Sequence, residues 1–161
     1  MHKLAYIFLT VLFLFSCSKN EGGGAAPNYF IKAKMNGELT EFNYNVIGQK
    51  GFAEDNIIHL VFGAQLNSGE YFPAYDLELW SLDGNISKGN YSEADYSIQS
   101  RYTLDGFTRY NNFYNDVDDY VIMITSMSDT EVSGKFSGTI TNDDDVDIAI
   151  TEGEFFVPLK D

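Results

Sequence analysis

The chain has 161 residues, with 24 acidic against 10 basic side chains for a formal charge of −14, and 11 tyrosines, 13 phenylalanines and one cysteine. That length suits one domain with a genuine core. The acidic excess argues against a nucleic-acid partner, which needs a basic face for phosphates, and against a polybasic grip on anionic lipid; its plain physical reading is solubility through self-repulsion.

The first segment, residues 1–16, has the parts of an export signal: a basic start at His2 and Lys3, then an apolar run over residues 4–15 broken only by Thr10. A span needs about 20 apolar residues, so this run is too short for a retained transmembrane helix. It ends at Leu14-Phe15-Ser16-Cys17, which resembles a bacterial lipobox. The resemblance implies a cleaved helical leader, an acylated Cys17 as first residue, and attachment to the outer membrane through that lipid. The alternative is ordinary secretion with Cys17 as a chance thiol. Two or more acyl chains hold stably where one binds marginally. Cleavage leaves 145 residues and removes one lysine, so nine basic and 24 acidic residues give −15. With Cys17 acylated, no thiol remains for a disulfide, a zinc thiolate site or a nucleophile.

Residues 17–27 read as a lipidated flexible tether, with three consecutive glycines and no periodicity. Ten such residues span roughly 16 to 19 Å, enough to lift a small domain clear of headgroups. The charged residues after the cysteine look like the export tag of some Bacteroidetes lipoproteins. Asn20 departs from the acidic run of that tag, and the reading places the domain at the cell surface in preference to the periplasm.

Residues 28–161 read as a single all-β domain, an antiparallel sandwich or flattened barrel of about eight to ten strands. Tyr29, Ile31, Ala33 and Met35 alternate with Lys32 and Lys34, and Asn36-Gly37 predicts a hairpin to the alternating run over residues 40–46. A polar loop is expected over residues 49–55. Residues 57–64, apolar apart from His59, predict a central strand covered on both faces. Tyr75, Leu77 and Leu79 alternate with Asp76, Glu78 and Trp80 up to a turn at Asp83-Gly84, and a second turn is expected at Lys88-Gly89-Asn90. Weaker strands are expected over residues 97–104 and 106–110, separated by Asp105-Gly106, then a loop over residues 111–119. Strands over residues 120–126, 132–141 and 146–157 complete the domain, the last interrupted by a kink or bulge at Gly153.

The closing pair, Val132-Ser133-Gly134-Lys135-Phe136-Ser137-Gly138-Thr139 and Ile150-Thr151-Glu152-Gly153-Glu154-Phe155, resembles the ending of small Bacteroidetes lipoproteins built from domains of unknown function. The opening Met35-Asn36-Gly37-Glu38 is similar to theirs too. The resemblance covers the two ends of the chain, and it implies fold and location without an activity.

His59 is the only histidine after cleavage, and its apolar neighbours make it a satisfied structural residue in preference to the base of a triad. With so many acids, a carboxylate pair for hydrolysis carries no signal in sequence. Asp143, Asp145 and Asp147 sit at alternate positions, a spacing that suits calcium, yet the run lacks the sixth-place glycine of an EF-hand loop. A solvated acidic turn is the competing account. Six of the 11 tyrosines lie at positions 91, 96, 102, 110, 114 and 120, with Phe107 and Phe113 among them. Rigid rings among small polar residues suit a binding loop, and Tyr110, Phe113 and Tyr114 are its candidates, whereas Tyr96 and Tyr102 fit core duty.

The functional expectation is a non-catalytic binding module for glycan or protein, presented on the cell envelope, with a ligand-free structural lipoprotein as the alternative and a carboxylate hydrolase third. No cofactor is expected beyond the calcium option. Residues 116–161 hold 12 acids against Lys135 and Lys160, a net −10. A partner recruited by that face would be basic, with salt-dependent association; a rim that only prevents strand pairing is preferred over it.

Overall fold

The computed structural model describes residues 28–52, 58–81, 85–93, 97–114 and 118–160. The leader, the lipobox with Cys17, the tether, the Asp83-Gly84 turn and Tyr96 lie outside them. The described chain is almost entirely strand: β1 (Phe30–Met35), β2 (Glu38–Phe42), β3 (Tyr44–Phe52), β4 (Ile58–Gln65), β5 (Ala74–Ser81), β6 (Gly89–Ser92), β7 (Ser97–Thr103), β8 (Arg109–Asn111), β9 (Val121–Met127), β10 (Glu131–Thr141) and β11 (Asp147–Pro158). A short 3-10 turn spans Asn112–Tyr114.

All eleven strands belong to one antiparallel sheet whose main path runs β2-β1-β11-β10-β8-β7-β5-β4-β3, with β9 on β10 and β6 on β9. One end of that path, β3, meets the chain that follows β11, close to the other end. Just past β11, Lys160 N donates to the Gly48 carbonyl of β3 at 3.0 Å, and Gln49 forms a parallel bridge with Lys160. A side chain at Gly48 would collide with the Pro158 carbonyl and crowd Val157 and Leu159, so the absence of a β-carbon lets the two strands approach. The sheet therefore curls into a nearly closed barrel, as the flattened-barrel expectation anticipated.

Period-two alternation puts one face of each strand inside. Ile31, Phe42, Leu60, Phe62, Leu77, Leu79 and Ile140 are fully buried. The Asn36-Gly37 turn joins β1 to β2 with positive φ at both residues, 51° and 87°, the backbone a two-residue hairpin requires. In β11 the register against β1 jumps between the Lys32–Glu154 and Lys34–Thr151 pairs, which makes the bulge expected near Gly153. Glu152 takes the left-handed conformation there, at φ 50°, while Gly153 lies against the carbonyl and ring of Phe136, where no side chain fits.

Several sequence boundaries shift. The expected polar loop over residues 49–55 is strand as far as Phe52, because Gln49 and Gly51 pair with Val61 and His59 on an outer face that tolerates polar residues. The run over residues 40–46 breaks at Asn43 and serves two strands, β2 beside β1 and β3 beside β4. Gly89 and Asn90 begin β6 rather than turning. β4 is not covered on both faces: Leu60 and Phe62 are buried, whereas His59 and Val61 are half-buried on the outside.

A polar network is built into the core. The hydroxyls of Tyr75, Ser100 and Tyr120, all fully buried, close a three-membered cycle at 2.7 to 2.9 Å. Burial pushes the Tyr75 phenol up to about 12 and the Tyr120 phenol well above its ordinary value. Beside the cycle, β8 pairs only with Arg101 to Thr103 of β7, which leaves the Ile98–Ser100 edge short of backbone partners. The side chain of buried Asn112 fills the gap: its Oδ1 accepts from Ser100 N at 2.7 Å, and its Nδ2 donates to Ile98 O at 2.8 Å and to Glu93 Oε1 at 2.6 Å. One amide thus does the work of a missing strand residue.

Candidate binding site

Pairing of Ala74 with Thr103 brings two connections out side by side: residues 66–73 entering β5 and residues 104–108 leaving β7. The first is closed by Leu66 N donating to Pro73 O at 2.8 Å, with Gly69 at φ 78° and a cis Phe72–Pro73 peptide. The second is an Asp-Gly turn. Asp105 Oδ1 accepts from Thr108 N at 2.7 Å and Phe107 N at 3.0 Å, Leu104 N donates to Thr108 O, and Gly106 takes φ 85°. These backbone donors hold the Asp105 carboxyl below its usual range.

The two connections interlock through one contact. Phe72 lies over Gly106, its ring 2.9 Å from where a β-carbon would stand. Phe72 stays 40% exposed, and Tyr71 and Phe107 stand further into solvent, 80% and 95% exposed, with Leu104 exposed as well. Large apolar side chains left open in ordered turns mark interaction sites more often than scattered single residues do.

Below Phe72 the outer face of β5, β7 and β8 forms a concavity of about 250 Å³ lined by Phe72, Ala74, Asp76, Arg101, Thr103 and Arg109. Asp76 Oδ2 accepts from Arg101 Nη2 at 3.0 Å and Nε at 3.2 Å. The carboxylate has room because Gly63 stands opposite it on β4, and a side chain there would collide with Asp76 Oδ1. Both side chains of the ion pair are about one-third exposed, at 36% and 31%, so the pair orients Arg101 more than it stabilises the fold. Arg109 has no ion-pair partner among the described residues.

Other hollows flank β9. One, of about 390 Å³, lies between Tyr91 and Met123; another, of about 240 Å³, lies between Val121 and Gly153. Their walls are mainly apolar, with no charged side chain lining the first and Lys135 and Glu152 lining the second.

The aromatic candidates from sequence are divided. Tyr110 is partly buried against the core, its ring 6.0 Å from that of Tyr102, and so shares the inward role expected of Tyr96 and Tyr102. Phe113 is 58% exposed in the 3-10 turn, and the Tyr114 side chain lies outside the described residues. The aromatic hollow described here is on the opposite face of β8, where Arg109 points. Tyr71-Phe72, between Gly69 and Pro73, and Phe107, directly after Asp105-Gly106, carried its signal: rings placed in turns have no core to enter.

The acidic turn is organised by Asn142, whose Oδ1 accepts from Val146 N at 2.8 Å and Asp144 N at 3.1 Å. Asp143 is exposed, Asp145 sits at φ 59°, and Asp147 Oδ1 accepts the Thr141 hydroxyl at 2.7 Å. Among the described residues no three acidic, histidine or cysteine side chains converge as a metal site, these aspartates included. His59 also differs from expectation: its ring fills the space above Gly51 and stacks at 4.6 Å on Trp80, with Nδ1 buried and lacking a hydrogen-bond partner. Comparison with protein families, curated proteins and solved structures finds no match to this chain.

Proposed function

We propose that this chain is a lipid-anchored envelope protein, held to the outer membrane through acylated Cys17, whose β domain is a non-catalytic module that binds a glycan or protein. The carrying observation is the pair of interlocked turns that leave Tyr71 and Phe107 in solvent beside a charged concavity. Rings held on short turns lose little freedom on binding and offer flat contact area. The hollow also suits recognition better than reaction. Its only carboxylate is tied to Arg101, and its remaining polar groups are guanidinium and one threonine hydroxyl.

The anchor rests on Leu14-Phe15-Ser16-Cys17 and on the placement of the chain's one cysteine there. Labelling with radioactive palmitate tests it: label should enter the wild type and not Cys17→Ser, and an unlabelled wild type overturns the anchor. For the module, glycan arrays and envelope pull-downs with the detergent-solubilised full chain are compared with Tyr71→Ala/Phe107→Ala. Loss of captured ligand at unchanged melting temperature supports binding through these turns; equal capture by both proteins refutes it.

A further inference from the structure

The chain has only two arginines, and both line the Asp76 concavity. Arg109 pairs with Thr103, and Arg101 pairs with Asn111 two residues further along β8, so the two arginines are diagonal neighbours on one face. Diagonal side chains on paired strands stand about 7–8 Å apart, close enough for two long guanidiniums to reach one bound group. Two cations so placed repel each other unless anions compensate them. Asp76 compensates one, leaving a net single positive charge on Arg109 within a strongly acidic protein.

Building on the binding-module reading, we infer that this concavity takes the carboxylate of an acidic saccharide, a uronic-acid unit of a glycan chain. A guanidinium is a planar fork that matches a carboxylate with two parallel N–H donors, and it stays charged at all physiological pH. Asp76 occupies Nε and Nη2 of Arg101 through a single oxygen, which turns the rest of that guanidinium toward the hollow. The Thr103 hydroxyl on the same wall is a further donor to sugar oxygens. Phe72 and the exposed rings of Tyr71 and Phe107 give the apolar C–H faces of sugar rings something to lie on. The charge balance selects the ligand class as well. One net positive charge fits one negative group at a time, while the acidic field of the whole protein repels densely charged polyanions.

The test measures binding of the full chain in detergent to three probes of equal length: a galacturonic acid oligosaccharide, its methyl ester, and a sulfated neutral oligosaccharide. The acid should bind at least tenfold more tightly than the ester. Arg109→Gln should remove that preference, with folding checked by its melting curve. Arg109→Lys keeps the charge and loses the fork, so it should recover only part of the preference. Equal affinity for acid and ester, or an acid preference that survives Arg109→Gln, overturns the carboxylate assignment. So does tighter Arg109-dependent binding of the sulfated probe. If neutral saccharides bind and are lost on Tyr71→Ala/Phe107→Ala while no probe responds to Arg109, the module reading stands and this inference falls. If no saccharide binds, the inference falls and the module reading passes to protein partners.

Discussion

The carboxylate of Asp76 occupies the space above Gly63 that any other residue's side chain would fill, and from there it holds Arg101 by two donors. A position on β4 thereby governs the orientation of a guanidinium two strands away.

Gly63→Ala should therefore act on binding more than on stability. The added methyl displaces Asp76, frees Arg101 and lowers ligand affinity severalfold. The exposed ion pair itself is worth at most about 1 kcal/mol. Paired binding and thermal-melting measurements check this, and a ligand affinity equal to wild type would show that Arg101 needs no such holding.

Asn112→Ala should be among the costlier polar substitutions. It leaves Ser100 N and Ile98 O without the partner that replaces β8 along that edge. Each buried group left unsatisfied costs about 1–3 kcal/mol. Urea unfolding gives the value, and a loss below about 1 kcal/mol would mean that water replaces the amide.

The hydroxyl cycle predicts a particular non-additivity. Tyr75→Phe or Tyr120→Phe alone leaves the other two hydroxyls bonded, so each should cost about 1 kcal/mol. The double variant strands the Ser100 hydroxyl in the core, and its loss should exceed the sum of the singles. A double-mutant cycle in denaturant decides; simple additivity contradicts the shared network.

Alkali should unfold the domain through the same group. The Tyr75 phenol is raised from 10.0 to about 12 by burial, the dominant cause. Above pH 10 the unfolded chain ionises this phenol while the folded protein does not, so stability is intact below about pH 10 and falls as pH rises toward 12. Tyrosinate absorbance followed alongside circular dichroism should show the most resistant tyrosines ionising together with unfolding. Tyr75→Phe should flatten the pH dependence, and an unchanged slope would assign it elsewhere.

Local chemistry was readable along the chain. Alternation at Ile31, Ala33, Leu77, Leu79, Val132 and Phe136 named core positions, because a strand has only two faces and each step changes face. Asn36-Gly37 announced a hairpin, because few residues accept positive φ in succession, and the interruption near Gly153 was visible as a glycine in a β-rich run. The class of fold followed from those signals alone. What required tertiary structure was everything set by which strands become neighbours. Closure depends on Gly48 meeting Lys160, more than a hundred residues later, and no local pattern encodes that pairing. Gln49 and Gly51 looked like loop because polarity cannot tell a turn from the outer face of a barrel. Tyr110 looked like a loop ring until β8 paired with β7 and turned it onto Tyr102, while the same pairing placed Arg109 on the opposite face beside Arg101. The candidate site exists only through that register, since Asp76, Arg101 and Arg109 come from three strands whose distances along the chain say nothing of their approach.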